Sequence, residues 1–272
     1  MSLEETKQLL RTYRISPNKL LGQNFMVETS LYCKMGNYAT LSSSDIVLDV
    51  GAGFGFLTRF LANRCKTVIA VEKDLKVVEV LRNQIKSFDN VIVIQGNVLK
   101  AKLPEFNKVI AIPPYYLSSH LVTWLFESAT DCSVLILQKE FANRLVAVVG
   151  SDEYCWLTVL TYQNVEVELL DSVPKEFFYP QPEADSIVIR LKRWNKAPFE
   201  MKDPLFFRQM VKWLFTQRNK KLSKALAPFL KTTLKLSKQD AEKLALTMPF
   251  HDRRVRELMP KDFGELASVI PS

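Results

Sequence analysis

Between residues 45 and 149, short apolar runs alternate with amphipathic stretches, and that rhythm leaves one broad architecture open. Residues 46–50, 67–71, 91–95, 108–111 and 134–137 are rich in β-branched side chains and predict strands. Between them, 57–63, 75–86, 118–128 and 139–149 place apolar residues at helical spacing. Strands joined through helices run parallel, so the pattern predicts an α/β fold whose sheet is covered on both faces. Residues 165–171 and 186–191 follow without an intervening helix and are expected to finish the sheet as an antiparallel pair. Residues 1–45 begin polar and turn helical around 31–40. Beyond Trp194 the strands stop, and 203–215, 221–230, 238–246 and 262–268 read as short helices. Two domains are expected: 1–194 carrying the sheet, and 195–272, small and helical.

Charge divides at nearly the same place. Residues 191–272 hold 18 Lys+Arg against 8 Asp+Glu, a net of +10, whereas the rest holds 19 against 21. A solvated lysine-rich helix surface would account for this without any function. The functional alternative is a docking surface for nucleic acid, where each neutralised phosphate releases counterions. The hydrophobic content of 47% excludes a disordered chain, and no apolar run approaches the roughly 20 residues of a membrane span. Residues 1–5 lack the basic start and apolar core of a secretory signal, so a cytoplasmic protein is expected. Cys33, Cys65, Cys132 and Cys155 show no close pairing and have only His120 and His251 to assist them. Reduced thiols and no metal site are expected.

The chemistry is concentrated at the predicted strand ends. After the first strand comes Asp49-Val50-Gly51-Ala52-Gly53-Phe54-Gly55-Phe56, a loop able to turn tightly before a helix. A dinucleotide fingerprint needs a small residue at position 56, where Phe stands, so the loop fits an adenosyl group better than a pyrophosphate. Glu72 ends the second strand, where a carboxylate can accept from two ribose hydroxyls; alternatively it is a surface partner of Lys73. Asn97 follows the third strand and carries both a donor and an acceptor for an adenine edge; alternatively it is a turn residue. Gly51, Glu72 and Asn97 together favour S-adenosylmethionine, because open α/β sheets bind ligands at successive strand ends.

The fourth strand ends in Ile112-Pro113-Pro114-Tyr115. Such a step serves methylation of an exocyclic base amine: the prolines stiffen the backbone and the tyrosine offers a flat surface to an extruded base. The residue before the prolines in such sites is normally Asp or Asn, which accepts from the amine. Ile112 can accept nothing.

With these motifs the chain resembles the KsgA-type family of small-subunit rRNA adenine N6,N6-dimethyltransferases over nearly its whole length. The matching segments are Leu21-Gly22-Gln23-Asn24-Phe25-Met26, the glycine loop, Glu72, and Ile112-Pro113-Pro114-Tyr115 with Ser118-Ser119. They continue with Gln138-Lys139-Glu140-Phe141-Ala142-Asn143-Arg144, Phe178-Tyr179-Pro180-Gln181-Pro182-Glu183-Ala184-Asp185-Ser186 and Phe215-Thr216-Gln217-Arg218. The resemblance implies a Rossmann-like S-adenosylmethionine-dependent methyltransferase sheet with a small helical C-terminal domain. It implies that Gln23, Asn24, Met26, Gly51, Gly53, Glu72, Lys73, Asn97 and Ile112 line the donor. Ile112, Pro114, Tyr115 and Phe178 would form the catalytic pocket, with Tyr115 and Phe178 sandwiching the target adenine. The tail, through Arg218, Lys220, Lys221, Arg253, Arg254 and Arg256, would grip rRNA of the assembling small ribosomal subunit, the protein acting as a monomer. The implied targets are two adjacent adenosines near the 3′ end of small-subunit rRNA. Three departures stand out: Asn97 for the family's Asp, Trp156 for a more usual Arg, and Ile112 for its Asn. The last leaves an alternative, an assembly factor that binds the subunit with weak or lost methyl transfer.

Overall fold

The structure, a computed structural model, describes residues 3–18 and 21–270. Chain order begins α1 (Leu3–Thr12), β1 (Phe25–Met26), α2 (Ser30–Tyr38), β2 (Ile46–Val50), α3 (Phe56–Ala62), β3 (Thr67–Glu72), α4 (Leu75–Gln84) and β4 (Val91–Gln95). It continues β5 (Lys108–Ala111), α5 (Ser118–Leu125), β6 (Cys132–Gln138), α6 (Lys139–Leu145), α7 (Trp156–Asn164), β7 (Val165–Val173), β8 (Phe178–Tyr179) and β9 (Ser186–Arg193). The last four elements are helices: α8 (Pro204–Phe215), α9 (Leu222–Thr233), α10 (Lys238–Thr247) and α11 (Pro260–Val269). Contacts divide the chain into two units, Met1–Ala142 with Val167–Arg193, and Asn143–Glu166 with Trp194–Ser272.

The first unit is built on a seven-stranded sheet ordered β4-β3-β2-β5-β6-β9-β7. Strands β4, β3, β2, β5 and β6 are mutually parallel, and β9 runs antiparallel along all of β6. Val47, Leu48, Val68, Ile69, Val109, Ile110 and Val134 through Leu137 are fully buried, which explains why these strands read as unbroken apolar runs. Of the two closing strands, β9 takes the inner place because Ile187, Val188, Ile189 and Leu191 need burial. The half-exposed β7 takes the edge. Lys108 is the one charge on β5. Its ammonium donates to Asp45 Oδ2 (2.8 Å) and to the Thr40 carbonyl (2.6 Å), while Asn107 Nδ2 donates to Asp45 Oδ1 (2.8 Å). A buried ion pair is tolerated when its remaining valences are satisfied in this way.

A second, two-stranded sheet was not legible in the sequence. Its β1 pairs antiparallel with β8, Phe25 opposite Tyr179 and Met26 opposite Phe178. Helices α1 and α7 are likewise additions to the expected set.

In the second unit, Asp203 caps α8 by accepting from the Leu205 and Phe206 N–H groups, with Pro204 in the first turn. Residues 143–166 belong to this unit, whereas the sequence expectation drew a single boundary after 194. The reason is the buried side chains they contribute. The Tyr154 hydroxyl donates to the Leu258 carbonyl (2.7 Å), and its ring meets Phe215 edge to face with centroids 5.4 Å apart. At Trp156, the residue that departs from the family's Arg, the Lys212 ammonium sits 4.7 Å from the ring centroid, a cation–π contact.

Gly264 lies on α11 where a Cβ would fall 2.4 Å from Phe199 Cδ2 and 2.6 Å from Cε2. Phe199 is itself held edge to face against Phe207, with centroids 5.6 Å apart. Gly264→Ala is therefore expected to destabilise the protein by about 1–3 kcal/mol through overpacking. Thermal unfolding of this variant beside a Gly36→Ala control, where a new Cβ meets nothing nearer than 3.6 Å, checks the expectation.

Candidate active site

Chain order reverses at β2, which lies between β3 and β5, so the crevice at a switch point opens beyond the ends of β2 and β5. Gly51 follows β2 and Ile112 follows β5, and both line the trough found there. Gly51 has φ +72°, and a Cβ on it would stand 2.7 Å from Pro114 Cδ. Only glycine lets the loop after β2 and the Pro-Pro-Tyr step approach this closely.

Glu72 closes one side. Its Oε2 accepts from the Gly53 N–H (3.0 Å), and its Oε1 from the Lys73 (2.7 Å) and Asp74 (2.9 Å) N–H groups. Burial pushes this carboxyl above the usual glutamate range, and the three N–H bonds pull it partly back. Asp49, at the floor, is 1% exposed and accepts from the Thr58 hydroxyl (2.7 Å). Its burial pushes it up to about 7, the Thr58 bond drawing it down and the nearby Glu72 charge adding to the rise. Gln23 is fixed at both ends: Oε1 accepts from the Asn18 N–H and Nε2 donates to Asp74 Oδ2, each at 2.8 Å. Asp74 in turn caps α4.

The other side is apolar and aromatic. Ile112 is half-buried and packs against the sheet's main core, and Pro113 is buried. The Tyr115 hydroxyl shares a hydrogen bond with Ser186 Oγ (2.7 Å), and burial raises its pKa. Phe178 is 2% exposed and is located by the pairing of β8 with β1. The Tyr115 and Phe178 rings meet edge to face, centroids 6.4 Å apart and planes at 73°. A base between two parallel rings needs roughly 7 Å, twice an ordinary carbon–carbon contact.

The trough brings together Gln23, Asn24, Met26, Gly51, Gly53, Glu72, Lys73, Ile112, Pro114, Tyr115 and Phe178. Asn97 is not among the lining residues; its Oδ1 accepts from the Leu99 N–H (3.0 Å), closing its own turn. Sequence reasoning gave no role to Asp49, Tyr32, Phe25 or Tyr116, all of which line it. Asp49 was visible in the strand ahead of the glycine loop, but nothing in one sequence says that an acid there is buried.

The basic residues of the tail gather separately, within the second unit. Residues 217–223 and 251–257 are joined by backbone bonds, Leu222 N–H to Arg253 O (2.7 Å), Val255 N–H to Lys220 O (3.1 Å) and Arg256 N–H to Arg218 O (3.0 Å). Arg218, Lys220, Lys221, Arg253, Arg254 and Arg256 thus form one cluster. Three of its guanidinium groups brace the fold. Arg218 donates to the Ser151 (2.7 Å) and Asp152 (2.8 Å) carbonyls, and Arg253 to Asp262 (3.1 Å) and the Glu257 carbonyl. Arg254 also donates to the Asn219 carbonyl. Among the described residues no group of three His, Cys, Asp or Glu could hold a metal, and no helix is long and apolar enough to cross a membrane.

The trough's donor set fits a nucleoside that carries positive charge. Gly51 lets the Pro-Pro-Tyr step close on the loop after β2, Glu72 offers two carboxylate oxygens, and buried Asp49 is a carboxyl whose ionised form a neighbouring cation would favour. Comparison with known proteins agrees. The family model described as ribosomal RNA adenine dimethylase matches residues 15–259. A probable ribosomal RNA small subunit methyltransferase A of Methanosarcina mazei is 36% identical over 97% of this chain and 96% of its own length. Its counterpart in Pyrococcus abyssi is 34% identical over 96% of this chain and 95% of its own. Among solved structures, a dimethyladenosine transferase from Plasmodium falciparum superposes with a TM-score of 0.76 at 25% identity, covering 89% of this chain and 95% of that one. The 23S rRNA methyltransferase ErmE gives 0.65 at 25% identity, covering 90% and 98%.

Proposed function

We infer the reaction from one premise: this chain belongs to the ribosomal RNA adenine dimethylase family. It is an S-adenosylmethionine-dependent rRNA adenine methyltransferase. We propose that its targets are two adjacent adenosines near the 3′ end of small-subunit rRNA, each methylated twice at N6, in the cytoplasm, by a monomer working on the assembling subunit. The observation that carries the reading is the convergence of Gly51, Glu72 and the Pro-Pro-Tyr step on one trough.

Bound S-adenosylmethionine supplies a methyl group activated on a positively charged sulfur. Gln23, Asn24, Met26, Gly53 and Lys73 would enclose this donor. Glu72, preset by three N–H bonds, would accept from the ribose hydroxyls. Asn97 would meet the adenine edge through its remaining amide group, since its oxygen closes a turn. Tyr115 and Phe178 would hold the extruded target adenine, each stack contributing about 1–3 kcal/mol, after their rings part to admit it. No general base is required while the attacking nitrogen is aligned with the methyl group. The basic cluster would grip the rRNA backbone through Lys220, Lys221, Arg254 and Arg256, with Arg218 and Arg253 holding it in shape.

Tritiated S-adenosylmethionine and undermethylated small subunits test the assignment. Label is expected in N6,N6-dimethyladenosine after nucleoside digestion, and an adenine fraction without label overturns it. A binding-only assembly factor is not favoured, because Glu72, Gly51 and the donor trough are kept intact.

A further inference from the structure

Helices α9 and α10 of the second unit pack against each other and leave a groove of about 370 Å³ between them. From α9 the groove takes Lys224, Ala227, Pro228 and Lys231, whose spacing of three and four residues makes one stripe of a helix. From α10 it takes Lys238, Ala241, Glu242 and Leu246. The floor is aliphatic. Ala227 and Ala241 are buried, Pro228 is exposed, and Leu246 is 57% exposed, a large apolar side chain left in water. The three lysines and Glu242 are exposed, and lysine stems add to an apolar surface while their ammonium ends stay hydrated.

Two kinds of partner bring negative charge to three lysines, a nucleic acid and an acidic protein. The groove favours the second. It is lined by no aromatic ring on which bases could stack and by no guanidinium fork for phosphate. Arg218, Arg253, Arg254 and Arg256 gather instead in the separate cluster described above. Glu242 would repel a phosphate track, whereas opposite a basic residue of a protein it would fix the register. An aliphatic floor gains little from phosphates but buries well under an apolar stripe. The stripe on α9 runs over about 10 Å of helix, room for two turns of a partner helix.

We propose that the groove between α9 and α10 is a docking site for a helix of another protein, one whose apolar stripe is flanked by acidic side chains. The stripe covers Ala227, Pro228, Ala241 and Leu246, and its carboxylates meet Lys224, Lys231 and Lys238. Such docking adds a protein partner to the rRNA substrate and is independent of methyl transfer into adenine.

The probe is a synthetic helical peptide with leucines at helical spacing flanked by glutamates, compared with a scrambled peptide of identical composition and with an oligouridylate of equal charge. Binding to the full-length protein is followed by fluorescence anisotropy, and its place by methyl NMR of labelled alanine and leucine. The striped peptide is expected to bind about 10-fold or more tightly than the scrambled one and to shift the Ala227, Ala241 and Leu246 methyl signals. Leu246→Asp, which removes apolar contact, and the double variant Lys231→Glu with Lys238→Glu, which reverses charge, should each weaken the peptide by about 10-fold or more. Thermal unfolding like that of the wild type shows that each variant is folded. Should a variant fail this check, the wild-type comparison of the two peptides, with the methyl shifts, decides. Absence of binding, equal binding of the two peptides, or shifts confined to methyls outside the groove overturns the proposal. Displacement of the peptide from these methyls by oligouridylate also overturns it, and makes the groove an RNA track. None of these results alters label transfer into adenine, so the methyltransferase reading is decided by its own assay.

Discussion

Gly51→Ala is expected to bind S-adenosylmethionine at least about 100-fold more weakly and to unfold about 2–4 kcal/mol more easily. Two independent penalties meet at this residue. The backbone there is left-handed, φ +72°, a conformation that costs an L-residue roughly 1–2 kcal/mol. The new Cβ would also stand 2.7 Å from Pro114 Cδ, with the Pro113 Cα 3.7 Å away. A proline ring has no rotamer into which to retreat, and buried Pro113 holds it from behind. Relief requires the loop after β2 or the step after β5 to move, and either movement spoils the trough. Calorimetric titration with S-adenosylhomocysteine, alongside thermal unfolding, measures both effects. Affinity within threefold of wild type would show that the two loops do not shape one ligand site.

The second large effect is at Glu72. Glu72→Gln should weaken binding of S-adenosylmethionine by about 100- to 1000-fold, because charged acceptors give the stronger hydrogen bonds and an amide turns one of two acceptor atoms into a donor. That donor would also face N–H groups that now point at an oxygen, Gly53 on one side and Lys73 with Asp74 on the other. The wild type carries a pH signature as well. Burial raises this carboxyl above the ordinary glutamate value, so its protonation on acidification starts at a higher pH than for an exposed glutamate. Donor affinity should decline as pH falls through that raised pKa, and the Gln variant should keep only the part of the decline that buried Asp49, raised to about 7, contributes. Stability moves the opposite way. A carboxyl whose folded pKa is raised favours the folded state when protonated, so this group's penalty grows as pH rises from the unfolded pKa to the folded one. Opposite slopes for binding and stability, both flattened in Glu72→Gln, identify the group. Parallel slopes would point elsewhere.

How much of this was legible depended on burial. The bounds of β2 and β5 coincide with the expected ones because strands covered on both faces leave an unbroken apolar run, whereas β4, at the sheet edge with Ile92 exposed, was marked by its β-branched residues. Helix α7 escaped for a related reason. Leu157, Thr158, Val159, Leu160, Thr161 and Gln163 are all buried, so the helix has no polar face and hence no stripe at helical period. Two residues per strand carry no period at all, which hid the pairing of β1 with β8 that locates Phe178. In the site, Gly51 and Glu72 could be placed because each follows or ends a recognisable strand. The same reasoning put Asn97 at the end of β4, where its oxygen closes the turn ahead of Leu99 and leaves its side-chain N–H groups for the adenine edge proposed above. Asp49 was the harder case: its importance is its dryness, a property of the fold rather than of the local residues.

The helical unit is assembled from two stretches of chain, and that dictates how it could be exchanged between relatives. A chimera that swaps only residues from 194 onward would keep the host's Tyr154 and Trp156 while replacing Leu258, Phe215 and Lys212, the groups they meet. Two splice points are needed, with residues 143–166 travelling as cargo, before a grafted tail arrives complete.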